Sequence, residues 1–123
     1  MRGPGGRKRK REKARLINAQ SGMSGRVNSK LDEIELEMKR IGYWAENPPQ
    51  FEVESFLDAP SFELWLQCIF IPNARAAAAE DSYPAQSQVG LMAMRQYDYH
   101  SYVEEAQILL RLLQEFDTLI EEA

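Results

Sequence analysis

Apolar residues recur at helical spacing once the chain passes residue 24. They are three or four positions apart, as on one face of an amphipathic helix. This face consists of Val27, Leu31, Ile34, Met38 and Ile41, with Trp44 three residues further on. Charged side chains occupy much of the other face. The pattern predicts a first helix that ends at Asn47-Pro48-Pro49, because the residue before a proline is disfavoured in helical geometry.

Residues 48–60 have no helical period. Their short alternation of apolar and acidic residues would suit a strand, but the sequence offers no partner strand. We therefore expect an ordered loop that packs Phe51, Phe56 and Leu57 onto the core. Asp58 or Ser61 is the expected N-cap of the next helix.

The next segment, residues 62–71, is apolar nearly all the way round and predicts the central, most buried helix. Pro72 follows it directly. Proline lacks the N–H of a helical hydrogen bond and clashes with the carbonyl four residues earlier. Either one bent helix therefore spans residues 61–80, or two short helices meet at residue 72. The sequence Asp81-Ser82-Tyr83-Pro84 predicts the end of this region.

A short third helix is predicted over residues 86–97. Gly90 in this segment would let a neighbouring helix approach closely. The residues expected to face inward are Val89, Met92, Ala93 and either Gln96 or Tyr97.

A last helix is predicted over residues 102–121. Ser101 is its expected N-cap, and Glu104, three residues later, would complete a capping box. Its apolar seam has spacings of three and four, typical of helix bundles. The seam consists of Ala106, Leu109, Leu113, Phe116 and Ile120.

Together these patterns predict an all-α fold, a single small bundle of about four helices with a proline-kinked central helix. The chain of 123 residues has enough length for one domain. Its net charge of −4 conceals an uneven distribution, because residues 1–15 sum to +7 and residues 23–123 to −11. We expect a disordered basic N-terminal extension, residues 1–22, followed by an acidic folded domain, residues 23–123.

The basic extension has two explanations. The favoured one is that Met23 is the true start, because the apolar pattern begins only after it. The alternative is a nucleic-acid-binding tail that attracts phosphates through its clustered cations. Those cations are Arg7, Lys8, Arg9, Lys10 and Arg11.

Few residues are suited to nucleophilic catalysis or metal binding. The single histidine, His100, lies in a turn where Asp98 is poorly placed to orient it. The single cysteine, Cys68, lies on the most apolar helix, where a buried thiol is unreactive. No phosphate-binding glycine loop is present in the sequence. We expect no catalytic site, no metal and no cofactor.

Two pairs of carboxylates could be considered as a metal site. Glu33 and Glu37, and likewise Asp117 and Glu121, are four residues apart, and we assign both pairs to solvated helix faces.

No stretch of the sequence reaches the roughly 18 apolar residues of a membrane helix. With one cysteine and no secretory signal, the expected location is the cytoplasm.

A specific segment carries a family resemblance. Trp65–Pro72, with the sequence W-L-Q-C-I-F-I-P, follows a helix ending in Tyr43-Trp44 and an acidic loop with phenylalanines, and it precedes Tyr83-Pro84. On these features the chain resembles the bacterial YqcC-like family, from about residue 23 to residue 121. The family pattern prefers an aromatic residue and an arginine where this chain has Cys68 and Asn73.

The resemblance implies a small cytosolic bundle of about four helices and carries over no catalytic residues. Family members are often associated with the gene for tRNA pseudouridine synthase C. A pseudouridine synthase needs a catalytic aspartate on a mixed α/β scaffold far larger than this chain. The resemblance therefore implies a non-enzymatic, accessory role in tRNA pseudouridylation, through contact with the synthase or its tRNA complex.

The candidate partner-binding residues are mainly aromatic, because aromatic side chains anchor interfaces. They are Phe51, Phe56, Trp65, Gln67, Pro72, Tyr97, Tyr99 and Tyr102. A surface this acidic suits a basic protein partner. The alternatives are nucleic-acid binding through the basic tail and a bundle that binds a small ligand or a metal.

Overall fold

The computed structural model describes residues 22–51, 59–99 and 101–123. These described residues contain four helices and no strand. The prediction of an all-α bundle of about four helices is confirmed. Helix α1 is Met23–Arg40 and helix α2 spans residues 62–80. Helix α3 is Val89–Met94 continued by the π-helical turn Arg95–Tyr99, and helix α4 is Gln107–Glu121 preceded by the 3-10 turn Glu104–Ala106.

The predicted apolar face of α1 is buried, but the helix ends earlier than predicted. Four of its residues, Val27, Leu31, Ile34 and Met38, are fully buried. The helix ends at Arg40 because Gly42 adopts a left-handed conformation, with φ of 81°. The N–H of Tyr43 then reaches the Met38 carbonyl at 2.8 Å, and that of Gly42 reaches Lys39 at 3.2 Å. These two bonds form a Schellman motif, which replaces the predicted stop at Asn47-Pro48-Pro49.

Helix α2 is continuous past Pro72, so the one-helix alternative is correct. Ser61 is the N-cap, and its side chain accepts a hydrogen bond from the Leu64 N–H at 3.0 Å. The irregularity lies just before the proline, in the π-helical turn Leu66–Phe70. There the Ile71 N–H donates to the Leu66 carbonyl, five residues back. The wider turn ends where the α-helix resumes with Pro72 in its first turn, a position at which proline is tolerated.

Two predicted features of α2 are wrong in detail. It is not the most buried helix, because Trp65, Cys68 and Phe70 are only half-buried. The more continuous buried seam is that of α4, where every predicted seam residue is buried. Trp65 and Phe70 pack against the core and, together with Ile69, also line a groove at its edge. Helix α2 is therefore apolar on nearly every side in this segment without being buried on every side.

Helices α3 and α4 begin later than predicted. α3 starts at Val89 instead of residue 86. The predicted capping box at Ser101 and Glu104 does not form, because no side chain caps either the 3-10 turn or α4. The backbone closes this corner instead, since the Val103 N–H donates to the Tyr97 carbonyl at 2.9 Å.

The four helices share one hydrophobic core. α4 packs against α1 and α3, and α1 also packs against α2. Two ion pairs one turn apart on α1, Arg26–Glu122 at 3.0 Å and Lys30–Glu115 at 2.8 Å, show that α1 and α4 run antiparallel. Several sequence predictions fall outside the described residues. They concern the basic tail with Arg7, Lys8, Arg9, Lys10 and Arg11, the loop residues Phe56, Leu57 and Asp58, and His100.

Candidate functional site

The family-like segment of α2 lines an apolar groove. Its residues Trp65, Ile69, Asn73 and Ala77 are spaced by four and form one ridge along the helix. The chain segment 83–87 forms the opposite wall, and the core supplies the floor. The cavity measures about 270 Å³. We call this cavity the apolar groove; its remaining lining residues are Val27, Phe70, Ala74, Tyr83, Pro84, Gln86, Ser87, Phe116 and Ile120.

Stacked aromatic rings support the groove from below. Trp65 and Phe70 stack with ring centroids 5.7 Å apart, and Phe70 meets Phe116 of α4 edge-on at 5.1 Å. Phe62 also stacks with Trp65, with ring centroids 6.0 Å apart. Such aromatic pairs stabilise a fold by more than the burial of their apolar area alone. The π-helical turn places Phe70 in this stack and Ile69 in the wall.

The wall formed by residues 83–87 is fixed at both ends by hydrogen bonds. At one end the Ser24 hydroxyl lies 2.9 Å from the Tyr83 hydroxyl and donates to the Ala78 carbonyl at 2.7 Å. At the other end the Ser87 hydroxyl donates to Asp117 Oδ1 at 2.6 Å. The groove is therefore formed before anything binds to it.

Gln67 belongs to the structural support of this region. Its side-chain amide pairs with the backbone of Ala45 in both directions, accepting from the N–H at 2.9 Å and donating to the carbonyl at 2.7 Å. Gln67 is only 9% exposed. The pair fastens the segment after α1 onto the π-helical turn of α2, so Gln67 is not free to contact a partner.

Replacing Gln67 with leucine is expected to destabilise the protein by about 2 kcal/mol, because a half-buried peptide group would lose both partners. Urea unfolding measures this difference. Gln96→Leu, the same substitution at an exposed position, is the control and should change stability by less than about 0.5 kcal/mol. Equal effects of the two substitutions would contradict the role assigned to Gln67.

The three candidate tyrosines do not form one exposed surface. Tyr97 is buried at 3% exposure, and its hydroxyl donates to Glu63 Oε2 at 2.6 Å. Desolvation, reinforced by that carboxylate, raises the pKa of Tyr97 far above its ordinary value. Tyr99 and Tyr102 are exposed at 73% and 67%. The prediction of Tyr97 as a contact residue is corrected, because its ring packs edge-on against Phe62 in the interior.

The other predicted contact residues are dispersed. Trp65 is the one described candidate that lines the apolar groove. Phe51 lines a separate cavity beside Pro48, Pro49 and Cys68. Pro72 is exposed on α2. Cys68 is half-buried instead of lying in the core, and desolvation raises the pKa of its thiol.

The sequence prediction missed the most connected carboxylate, that of Asp117. Instead of lying in solvent, it holds the start of α3 by accepting hydrogen bonds from the backbone N–H groups of Val89 at 3.0 Å and Gly90 at 2.8 Å, besides the Ser87 hydroxyl. Desolvation raises the pKa of Asp117, and these three bonds partly oppose that rise. The sequence did contain a signal for its burial, because Asp117 is four residues after Leu113 and three before Ile120, on the apolar seam of α4.

Glu37 was also assigned to solvent and is instead 8% exposed. Both of its carboxylate oxygens accept hydrogen bonds from Arg40, at 2.8 and 2.5 Å. The Arg40 guanidinium therefore neutralises the charge of Glu37. This pairing explains how a carboxylate lies on the inner side of α1 without a free charge.

The side chains that line the apolar groove are apolar or uncharged. Its lining includes no carboxylate, lysine, arginine, histidine or cysteine side chain among the described residues. Across the same described ranges, no three potential ligands from histidine, cysteine, aspartate and glutamate come together as a metal site. Within residues 22–51, 59–99 and 101–123, no helix is both long and apolar enough to cross a membrane.

Comparison with known protein families identifies the chain. Residues 26–119 match the family DUF446, whose description is tRNA pseudouridine synthase C. The chain belongs to the DUF446 family. This match fits the resemblance to YqcC-like proteins. It includes the entire segment Trp65–Pro72 and all four helices except the first three residues of α1 and the last two of α4. Neither a curated protein nor a solved structure gives a significant match to the chain.

Proposed function

We propose that this DUF446 protein is a non-enzymatic cytoplasmic protein that assists tRNA pseudouridylation by contacting the synthase or its tRNA complex. The observation that carries the proposal is the apolar groove, because the segment with the family resemblance forms its wall. Trp65 supplies the largest side chain of that wall, and Tyr83-Pro84 forms part of the other. The description of the family supplies the link to tRNA pseudouridylation.

The placement of the described aspartates supports a role without catalysis. A pseudouridine synthase would need an aspartate in a binding cavity, and four of the five aspartates lie in the part of the chain that the structure describes. Asp32 pairs with Arg75 at 2.7 Å on the surface, and Asp81 and Asp98 are exposed. Asp117 lies beside the groove, but its carboxylate is occupied by three hydrogen-bond donors. None of the four lines the apolar groove.

The charge of the described residues supports a protein partner over direct contact with RNA. They carry 15 acidic and seven basic side chains, a net charge of −8. Such a surface repels phosphates and attracts basic surfaces. A synthase that binds tRNA must itself present a basic surface. The acidic protein would therefore contact the synthase more readily than the tRNA alone.

The test compares a strain that lacks this protein with the same strain carrying the gene on a plasmid. We expect less pseudouridine at the positions modified by the synthase in the deletion strain, and recovery on complementation. Size-exclusion chromatography of the purified protein with tRNA pseudouridine synthase C, with and without tRNA, should show a shared peak. Unchanged pseudouridine together with separate peaks would contradict the proposal.

A further inference from the structure

The size and lining of the apolar groove suit protein side chains more than a metabolite. Small-molecule sites measure about 300–1,000 Å³ and contain a few convergent polar groups. The groove, at about 270 Å³, is at the lower limit of that range. Of its polar side chains, Asn73 and Gln86 are exposed, whereas the hydroxyls of Tyr83 and Ser87 already form hydrogen bonds with Ser24 and Asp117. It would hold one or two large apolar side chains.

The shape of the groove favours a helix as the occupant. The ridge of residues four apart on α2 is the surface that a second helix packs against in ridges-into-grooves packing. No described residue offers a sheet edge to which an extended peptide could add a strand. Because hydrogen bonds at Ser24 and Ser87 already hold the opposite wall, binding would need little ordering of this protein.

The charges around the groove favour a basic occupant. Two arginines are neighbours of lining residues in the sequence, Arg26 of Val27 and Arg75 of Ala74, and both form ion pairs, with Glu122 at 3.0 Å and with Asp32 at 2.7 Å. Two exposed acids, Glu80 and Asp81, lie within three residues of Tyr83, the first residue of the wall, and a third, Glu121, follows the lining residue Ile120. None of these three acids forms an ion pair with another described residue.

We infer that the apolar groove binds a basic amphipathic helix of a protein partner, which inserts leucine-sized side chains between α2 and residues 83–87. Lysine or arginine side chains on the neighbouring turns of that helix lie against Glu80, Asp81 and Glu121. This inference rests on the proposed function, for which it names the chemistry of the partner. Apolar contacts give the affinity, and the acids select against acidic helices.

The test uses three dye-labelled helical peptides and the purified full chain. Each peptide has about 15 residues, since shorter helices are marginal in water. The first has leucines four apart and lysines on the flanking positions. The second replaces the lysines with glutamates, and the third replaces the leucines with glutamines. Fluorescence anisotropy should detect binding of the first peptide alone. Binding of either of the others with equal affinity, or of none, would overturn the inference.

Matched variants locate the binding. Ala77→Leu fills the groove, whereas Ala76→Leu adds the same side chain at an exposed position on the same helix. We expect Ala77→Leu to weaken binding about tenfold or more, a loss of one large buried contact, and Ala76→Leu to leave it unchanged. Asn73→Trp, which blocks the groove from its exposed rim, should act like Ala77→Leu and covers the case in which that variant fails to fold.

The charge requirement has its own pair of variants. Glu80→Lys and Glu104→Lys change the net charge equally, but only Glu80 is near the groove. Glu80→Lys should weaken binding of the lysine peptide by about threefold more than Glu104→Lys, the size of one exposed ion pair. In a Trp44→Phe background, emission from Trp65 should shift to shorter wavelength on binding. Equal effects of the two charge changes, or an unmoved emission, would count against this site.

Failure of this inference can be distinguished from failure of the proposed function, because the peptide assay contains neither synthase nor tRNA. If the peptide binds the groove but the deletion strain keeps normal pseudouridine, the groove has the inferred chemistry and the proposed function is wrong. If no peptide binds but the deletion strain loses pseudouridine, the proposed function is supported and the partner does not use a basic helix in this groove.

Discussion

Gly90→Ala is expected to lower the free energy of unfolding by about 2 kcal/mol. A Cβ at this position would lie 2.7 Å from Gln114 Cα and 2.8 Å from Asp117 Oδ2. The first contact is with backbone, which cannot rotate away, so α3 would have to move off α4. Overpacking of this kind costs about 3 kcal/mol at the upper end of its usual range. The higher helix propensity of alanine than of glycine offsets about 1 kcal/mol of this cost, which leaves a loss of about 2 kcal/mol.

Thermal unfolding followed by circular dichroism measures this loss. For a domain of this size, about 2 kcal/mol corresponds to a melting temperature lower by roughly 10 °C. Leu91→Ala is the control, because it introduces alanine at the next position, which is 39% exposed. It should shift the melting temperature much less. If Gly90→Ala were as stable as the parent protein, the close approach of α3 and α4 at this point would be wrong.

Asp117→Asn is expected to cost about 2–3 kcal/mol, the cost of hydrogen bonds lost from a charged, partly buried group. The carboxylate uses both oxygens as acceptors, Oδ1 for Ser87 and Val89 and Oδ2 for Gly90. The side-chain amide of asparagine keeps only one oxygen as an acceptor. Its NH₂ group would face a backbone N–H donor at the start of α3 and could not accept that hydrogen bond. The start of α3 has no side-chain cap of its own. Its first turn would therefore lose its partner and loosen.

Urea unfolding of Asp117→Asn tests this role. Asp98→Asn makes the same change at an exposed position and should be within about 0.5 kcal/mol of the parent. Ser87→Ala removes one of the three hydrogen bonds and should cost about 1 kcal/mol. A stability of Asp117→Asn equal to that of Asp98→Asn would show that the carboxylate does not hold α3.

The two substitutions affect the same helix contact, which also bears on the groove. Ser87 lines the apolar groove and is held by Asp117. Loosening α3 would release one end of the wall at residues 83–87. Both substitutions should therefore weaken binding of the lysine peptide as well as lower stability. The variants inside the groove, such as Asn73→Trp, would weaken binding with little loss of stability.

The periodic elements could be predicted because their signal is local. The faces of α1 and α4 are recorded in spacings of three and four, and burial of Leu31 or Leu113 follows from those spacings alone. Gly90 was also interpreted correctly, since an unexplained glycine within a helix often marks a close approach. Helix ends were predicted less well. Gly42 was the missed signal for the end of α1, because a left-handed glycine ends a helix before a distant proline can.

The candidate site could be predicted only in part. Trp65 was singled out, but the sequence shows neither which elements face it nor that Tyr83 and Ser87 form the opposite wall. Tyr97 was correctly given as one of two alternatives for an inward-facing residue, but its selection as a contact residue and the assignment of Asp117 to solvent were wrong for one reason. A polar group can be buried when a distant partner satisfies it, as Glu63 does for Tyr97 and the N-terminus of α3 does for Asp117. Such partners lie 27–34 residues away, beyond any local pattern.

The sequence by itself determined the all-α class, the apolar faces that pack together and the acidic charge of residues 23–123, because composition and short-range periodicity are properties of the chain. Only the tertiary structure decided that the apolar residues of α2 divide between the core and a groove. That division depends on the π-helical turn before Pro72 and on the wall at residues 83–87. Contacts between segments that are distant in the sequence determine this division, because they decide which side chains of α2 are covered.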